Sequence, residues 1–298
     1  MNDWTTRTAG RVSLLALVAS LVACGSNSAK PETPVAPPVG SAPAPAPNPA
    51  PDTAASANAP SPAPKYDVDF VEAKASPDPE VIPKVSIDIP GFDQVIPASL
   101  VAATKVRYKV TNFDKMPEGS YVQFIVDNVP YKPLTDLKTP LALNTLAPGG
   151  SLPEGEHLIA AFVCRKNGES IKNANAIAVR RFWTGKRTAS SWDPSKSPLI
   201  VLGHPYGTYK VDGKTDPLVD WYVLNAKLGQ KDYSIRAVLK GPGIRDEGIQ
   251  RIITDWRTHI VLSAHDGDYT LQFDLLDGNG DPVPGPGNSS TRKFTVTH

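Results

Sequence analysis

The segment Asp277-Gly278-Asn279-Gly280-Asp281 sets three oxygen-bearing side chains at alternate positions, as the first half of a calcium loop does. A helix–loop–helix calcium site then wants glycine at its sixth place and an acidic side chain at its twelfth, where this chain has Pro282 and Asn288. The matching segment earlier in the chain, Arg165-Lys166-Asn167-Gly168-Glu169, carries two cations that repel calcium. A hairpin turn nucleated by Asn-Gly accounts for both. Gly213-Lys214-Thr215 ends like a phosphate loop, but five residues rather than four separate Gly207 from Gly213. Pro217 and a strand pattern follow, where that motif must open a helix. The histidines, His157, His204, His259, His265 and His298, contain no pair at metal-ligand spacing. Gly149-Gly150-Ser151-Leu152-Pro153 lacks the last glycine of a serine-nucleophile turn. Cys164 has only Arg165 and Lys166 beside it and reads as a small, half-buried hydrophobe ending a strand. These patterns lead us to expect no catalytic residue, no metal and no cofactor. What remains is aromatic: Trp183, Trp192, Tyr206, Tyr209, Trp221, Tyr222 and Trp256. Trp221 is in phase with Val219 and Val223 and belongs to a core. Trp183, Trp192, Tyr206, Tyr209 and Tyr222 are the candidates for stacking on a ligand such as a sugar ring.

The elements that carry these residues have a period of two. Ile159, Ala161 and Val163 alternate with Leu158, Ala160 and Phe162, and Leu271, Phe273 and Leu275 alternate with Thr270, Gln272 and Asp274. Alternation sets one series on a core face. No stretch of a dozen residues shows helical apolar spacing. The chain also repeats itself. Gly155-Glu156-His157, Asn167-Gly168-Glu169 and Arg180-Arg181-Phe182 recur as Gly267-Asp268-Tyr269, Asn279-Gly280-Asp281 and Arg292-Lys293-Phe294, each time after 112 residues. Several short matches in one order define two copies of one domain. The second copy offers strands at 198–203, 217–224, 232–239, 248–254, 258–262, 268–276 and 291–297, separated by Gly- and Pro-rich turns. This resembles an immunoglobulin-like antiparallel sandwich without the Cys…Trp…Cys pattern of antibody domains. The fold expected is therefore all-β: a first sandwich over 66–185, a linker over 186–197 and a second sandwich over 198–298. Tyr66 to Val71 supplies either an added edge strand or the frayed end of what precedes it. Lys186, Arg187 and Lys196 make the linker a solvated one.

Upstream lies a different kind of chain. Of residues 31–64, 12 are proline, with no aromatics and two valines, too little apolar surface to offset the entropy of ordering. Residues 24–65 are expected to be a disordered Pro/Ala-rich stalk. Polyproline II would give it a reach of roughly 100 Å at full extension. Before it, Arg7 and Arg11 precede an apolar run from Val12 to Ala23, too short for a membrane span of about 20 residues. Leu21-Val22-Ala23-Cys24 resembles the lipobox of bacterial lipoproteins. The resemblance implies that residues 1–23 are a signal peptide, that Cys24 is acylated on its thiol and new amino group, and that the membrane is a partner through covalent lipid. In such lipoproteins an Asp after the cysteine favours the inner membrane. Gly25 here implies the outer one, with periplasmic or surface side open. Cys164 is then without an intramolecular disulfide partner.

Removal of 1–23 takes away Arg7, Arg11 and Asp3 and leaves a formal charge of zero. Nucleic acid is therefore not an expected partner. The reading is a lipid-anchored cell-envelope protein with a non-catalytic binding or structural role. A glycan or peptidoglycan-binding module is one alternative. An enzyme or enzyme subunit with a site at the junction of the domains is the other.

Overall fold

A computed structural model describes residues 65–213 and 215–298, so the lipobox, the stalk up to residue 64 and Lys214 lie outside the described residues. The described part is all-β, with short 3-10 turns and no α-helix among the described residues. Strand β1 is Asp69–Glu72. The first repeat contributes β2 (Lys84–Ile89), β3 (Gln94–Ile96), β4 (Lys105–Thr111), β5 (Tyr121–Val126), β6 (Val129–Pro130), β7 (Leu141–Ala142), β8 (Gly155–Cys164) and β9 (Ile177–Thr184). The second contributes β10 (Leu199–His204), β11 (Gly207–Lys210), β12 (Leu218–Leu224), β13 (Ser234–Lys240), β14 (Ile249–Ile253), β15 (His259–Leu262), β16 (Gly267–Leu276) and β17 (Ser289–Thr297). All seven strand segments expected in the second copy are present. β11 was not among them, because Gly207-Thr208-Tyr209-Lys210 has no apolar alternation to announce it.

Each repeat is an immunoglobulin-like sandwich of two sheets. In the first, β2-β4-β7 faces β3-β9-β8-β5-β6. In the second, β1-β15-β12-β10 faces β11-β17-β16-β13-β14. The copies share their irregularities as well as their strands. β3 pairs in parallel with β9, and β11 with β17. Asn112 and Asn225, each just past the equivalent strand β4 or β12, take left-handed φ of 61° and 56°. Asparagine tolerates that conformation better than most residues, so it stands at a fixed break in both copies.

Two features depart from the expected order. β1 precedes the first repeat in sequence, yet it pairs antiparallel with β15 of the second, Phe70 opposite Val261. Residues 66–72 thus belong to the second sandwich, not to a first domain spanning 66–185. The chain then crosses to β2 along a strap pinned to both halves. Ala73 N–H donates to Thr258 O (2.8 Å), Ser76 N–H to Glu169 Oε1 (3.3 Å) and Arg165 Nη2 to Pro77 O (2.6 Å).

The second departure is a third apolar core. One core fills each sandwich, around Phe124 and Ile159 in the first and around Trp221 and Phe273 in the second. The third lies between the sandwiches. It takes Tyr121 and Ile125 from β5, Leu158, Ala160, Phe162 and Cys164 from β8, Leu199 and Val201 from β10, Tyr222 from β12, and Trp192. In β8 both alternating series are therefore buried, one in the first sandwich and the other at the junction. Gly203 marks how closely the sheets meet. A Cβ there would stand 3.1 Å from the Phe162 ring and 3.3 Å from Asp220 O. The described residues cluster as one compact unit.

Candidate functional site

The junction core is not purely apolar. His204, at the end of β10, is buried with both ring nitrogens bonded, Nε2 to Tyr121 O–H at 3.0 Å and Nδ1 to Tyr209 O–H at 2.9 Å. Tyr206 packs on the same ring at 4.7 Å and donates its hydroxyl to Gln123 Oε1 at 2.9 Å. Burial, aided by the Arg292 and Lys172 charges and opposed by Asp220, pulls the His204 pKa down to about 4. The imidazole is thus neutral, one nitrogen donating and the other accepting. Asp220, fully buried on β12, accepts from Lys172 Nζ (2.6 Å), Thr258 Oγ1 (2.7 Å) and Ser170 N–H (3.2 Å). Lys172 comes from the first repeat. Its ammonium also bonds Trp221 O (2.6 Å) and lies 5.5–5.8 Å from the rings of Trp221, Tyr222 and Trp256. Buried polar groups are tolerable only when bonded, and these are.

This geometry reassigns every aromatic side chain expected to stack on a ligand. Tyr222 is wholly buried and donates its hydroxyl to Ile171 O. Trp183 is buried, with the guanidinium groups of Arg181 and Arg187 over its ring at 4.9 and 4.7 Å. Trp192 is buried in the junction core. Tyr206 and Tyr209 are half-buried and bonded to Gln123 and His204. None presents a free ring face, because the outer faces of two sheets cover each other there. Trp221 is core, as its phase implied. Cys164 is fully rather than half-buried, and desolvation raises its pKa well above the thiol range, which makes it inert. The Asp277–Asp281 segment closes as a turn, with Asn279 and Asp281 N–H both donating to Asp277 Oδ1.

One concave feature opens at the edge of the junction. It is a cleft of about 300 Å³ lined by Asp127, Glu156, His157, Leu158, Ser190, Trp192 and Pro286. Four segments meet in it: the β5–β6 turn, the start of β8, the inter-sandwich linker and the loop between β16 and β17. Asp127 and Asn128 both have positive φ, 47° and 63°, as a two-residue hairpin turn requires. Arg292 of the second sandwich fixes that turn, donating to Asn128 O, to Asn128 Oδ1 (3.1 Å) and to Leu202 O (2.9 Å). Burial lowers the Arg292 pKa to about 10.

Inside the cleft, His157 places Nδ1 2.6 Å from Asp127 Oδ2 and Nε2 2.9 Å from Pro153 O. Both partners are acceptors, so both nitrogens must donate and the ring is an imidazolium. Burial pulls its pKa down, and the Asp127 hydrogen bond and charge more than offset this, leaving it raised. A histidine with both nitrogens committed has no lone pair to offer as a general base. Ser190 O–H donates to Glu156 Oε1 (3.0 Å), not to a histidine, so no nucleophile–base pair forms among these residues. Among the described residues no cluster of His, Cys, Asp or Glu could hold a metal ion. The sequence singled out only Trp192 among residues of this cleft as a candidate. Asp127, Glu156, Ser190 and Pro286 come from four distant segments and carry no local motif. The Asp127-Asn128 turn pair was the one short-range signal.

The histidines yield a pH prediction. A neutral His204 with a pKa near 4 refuses a proton that the unfolded chain takes up near pH 6.5. Between those values the unfolded state binds more protons, so stability falls on acidification, by about 3 kcal/mol from His204. His259 acts with the same sign, and His157, whose pKa is raised, with the opposite one. The stability advantage of wild type over His204→Gln, read from urea midpoints, is expected to shrink by roughly that amount from pH 7 to pH 4. An advantage independent of pH would show that His204 is not held neutral.

No family model matches this chain, and no curated protein does. Among solved structures it is similar to the fibronectin(III)-like modules of Clostridium thermocellum CbhA, at 13% identity and TM-score 0.25 over 72% of this chain and 94% of that one. It is similar to a β-glucuronidase of Parabacteroides merdae at 13% identity and TM-score 0.21, over 72% of this chain and 24% of the enzyme, so it spans about a quarter of that length. A third likeness is to SGBP-B of the Bacteroides ovatus mixed-linkage glucan utilization locus, solved with a mixed-linkage heptasaccharide, at 12% identity and TM-score 0.22 over 72% and 70% of the two chains. Likenesses of this degree add nothing to the architecture read from the strand order.

Proposed function

We propose that the protein is a lipid-anchored component of the bacterial cell envelope, placed at the outer membrane, whose fused sandwiches act as one non-catalytic binding head. Residues 24–65 hold that head off the bilayer, and its ligand seat is the junction cleft. The observation that carries this reading is the third core. Two flexibly linked domains would leave a junction cleft ill-defined. Here Phe162, Tyr222 and the Asp220–Lys172 pair lock the sandwiches, and Arg292 fixes the Asp127 turn, so the cleft walls are set before any ligand arrives. The committed imidazolium of His157 favours binding over catalysis. The anchor rests on Leu21-Val22-Ala23-Cys24 and on several acyl chains at one residue, since a single chain holds a protein only weakly.

Two measurements test the reading. Cys24→Ser is expected to move the protein from the membrane to the soluble fraction, and its persistence in membranes would refute the anchor. The acylated full-length chain is expected to be retained on purified peptidoglycan or by a component of envelope extract. A clean negative for both would remove the binding role.

A further inference from the structure

The cleft has a chemistry more specific than a generic hollow, and the following rests on the reading of the head as a binding module. Its rim is rich in acceptors. Asp127 is partly exposed beyond its bonds to His157 and to Leu158 N–H (2.9 Å), and Glu156 offers a second carboxylate oxygen besides the one that receives Ser190. Its wall holds an unmatched donor. Trp192 is 7% exposed, and its indole Nε1–H has no acceptor in the protein. That nitrogen lies against Gly285, the residue beside Pro286 on the cleft lip. A buried donor without a partner costs on the order of 1–3 kcal/mol, so a bound acceptor there is favoured. The ligand that suits this wall must both donate to carboxylates and accept from an indole N–H. It must also lay a C–H face on Trp192, Leu158 and Pro286.

Hydroxyl and acetamido groups on a ring do all three. A simple cation satisfies the carboxylates but repels the indole N–H and the His157 imidazolium. An anion is repelled by the carboxylates. The volume, about 300 Å³, sits at the low end of ligand pockets, which run from about 300 to 1,000 Å³. We propose that the junction cleft seats one neutral pyranose ring of an envelope glycan. Glu156 and Asp127 accept from its hydroxyl or acetamido donors, and Trp192 Nε1–H donates to one of its oxygens.

The test titrates the acylated full-length protein, in a detergent without a sugar headgroup, with chitotriose, cellotriose and putrescine by calorimetry. One of the two sugars is expected to saturate a single site with a Kd of about 1 mM or below, a usual strength for a small polar ligand. Chitotriose would mark an N-acetylated source such as peptidoglycan, cellotriose an unacetylated glycan, and either supports the proposal. Glu156→Gln, half-exposed and remote from the cores, is expected to weaken the sugar about tenfold. Trp192→Phe keeps an aromatic ring and removes the N–H, and is expected to weaken it by about the same factor. No saturation by either sugar, saturation untouched by Glu156→Gln, or tighter binding of putrescine overturns the proposal. Retention on peptidoglycan with no sugar bound in the cleft would leave the binding-head reading standing without this ligand. Loss of both would end that reading too.

Discussion

Asp220→Ala is expected to destabilise the folded head by about 3–5 kcal/mol, the loss typical when one partner of a buried ion pair is removed. The carboxylate is fully buried and accepts from Lys172, Thr258 and the Ser170 amide. Alanine leaves all three donors facing a cavity, with the Lys172 side chain only 17% exposed. The ammonium would keep Trp221 O and the surrounding ring faces, which do not neutralise it. A second substitution separates charge burial from packing. In Asp220→Leu with Lys172→Met, both charges are gone and the volume is kept, so most of the lost stability should return. Urea unfolding followed by tryptophan fluorescence measures both. Because Lys172 belongs to the first repeat and Asp220 to the second, the single variant should lower the midpoint of both sandwiches. A loss under about 1 kcal/mol, the size of a surface pair, would show that the bridge does not lock the junction.

Phe70→Ala is expected to cost about 3–5 kcal/mol, the range for a buried phenylalanine. Phe70 is 1% exposed, lies opposite Val261 and packs on the His259 ring at 5.1 Å. The location of the damage is the sharper test. Phe70 precedes the first repeat, but its side chain belongs to the core of the second. Hydrogen exchange should therefore show protection falling first in β15 and β12, with β4 and β7 following later. The opposite order would place β1 with the first sandwich. The same geometry has a consequence for dissection. Cutting the chain in the linker over 186–197 separates the second sandwich from one of its own strands. A fragment 198–298 should be less stable than the intact head by at least the contribution of β1, while one that retains 65–73 through a short linker should recover it.

The chain by itself settled the class and the repeat. Period-two patterning, turn residues and the 112-residue offset bring out the strands of the second copy, because a strand that faces one core needs only its own alternation and its flanking turns to be recognised. Trp221 was placed in a core by that same logic. The logic failed where a strand faces two cores. In β8 every position from Leu158 to Cys164 except none is polar, so alternation has nothing to distinguish, and only the stacked sheets show that Leu158, Ala160 and Phe162 meet the second sandwich while Ile159, Ala161 and Val163 fill the first. Tyr206, Tyr209 and Tyr222 looked available for a ligand because a local pattern cannot register what covers a sheet from outside. Tertiary structure alone decided the pairing of β1 with β15, the neutrality of His204, the Asp220–Lys172 bridge and the assembly of the cleft. Each joins residues far apart in the chain, as with the 48-residue separation of Lys172 from Asp220. Burial, register and charge pairing at that range depend on how sheets stack, and no short window of sequence records it.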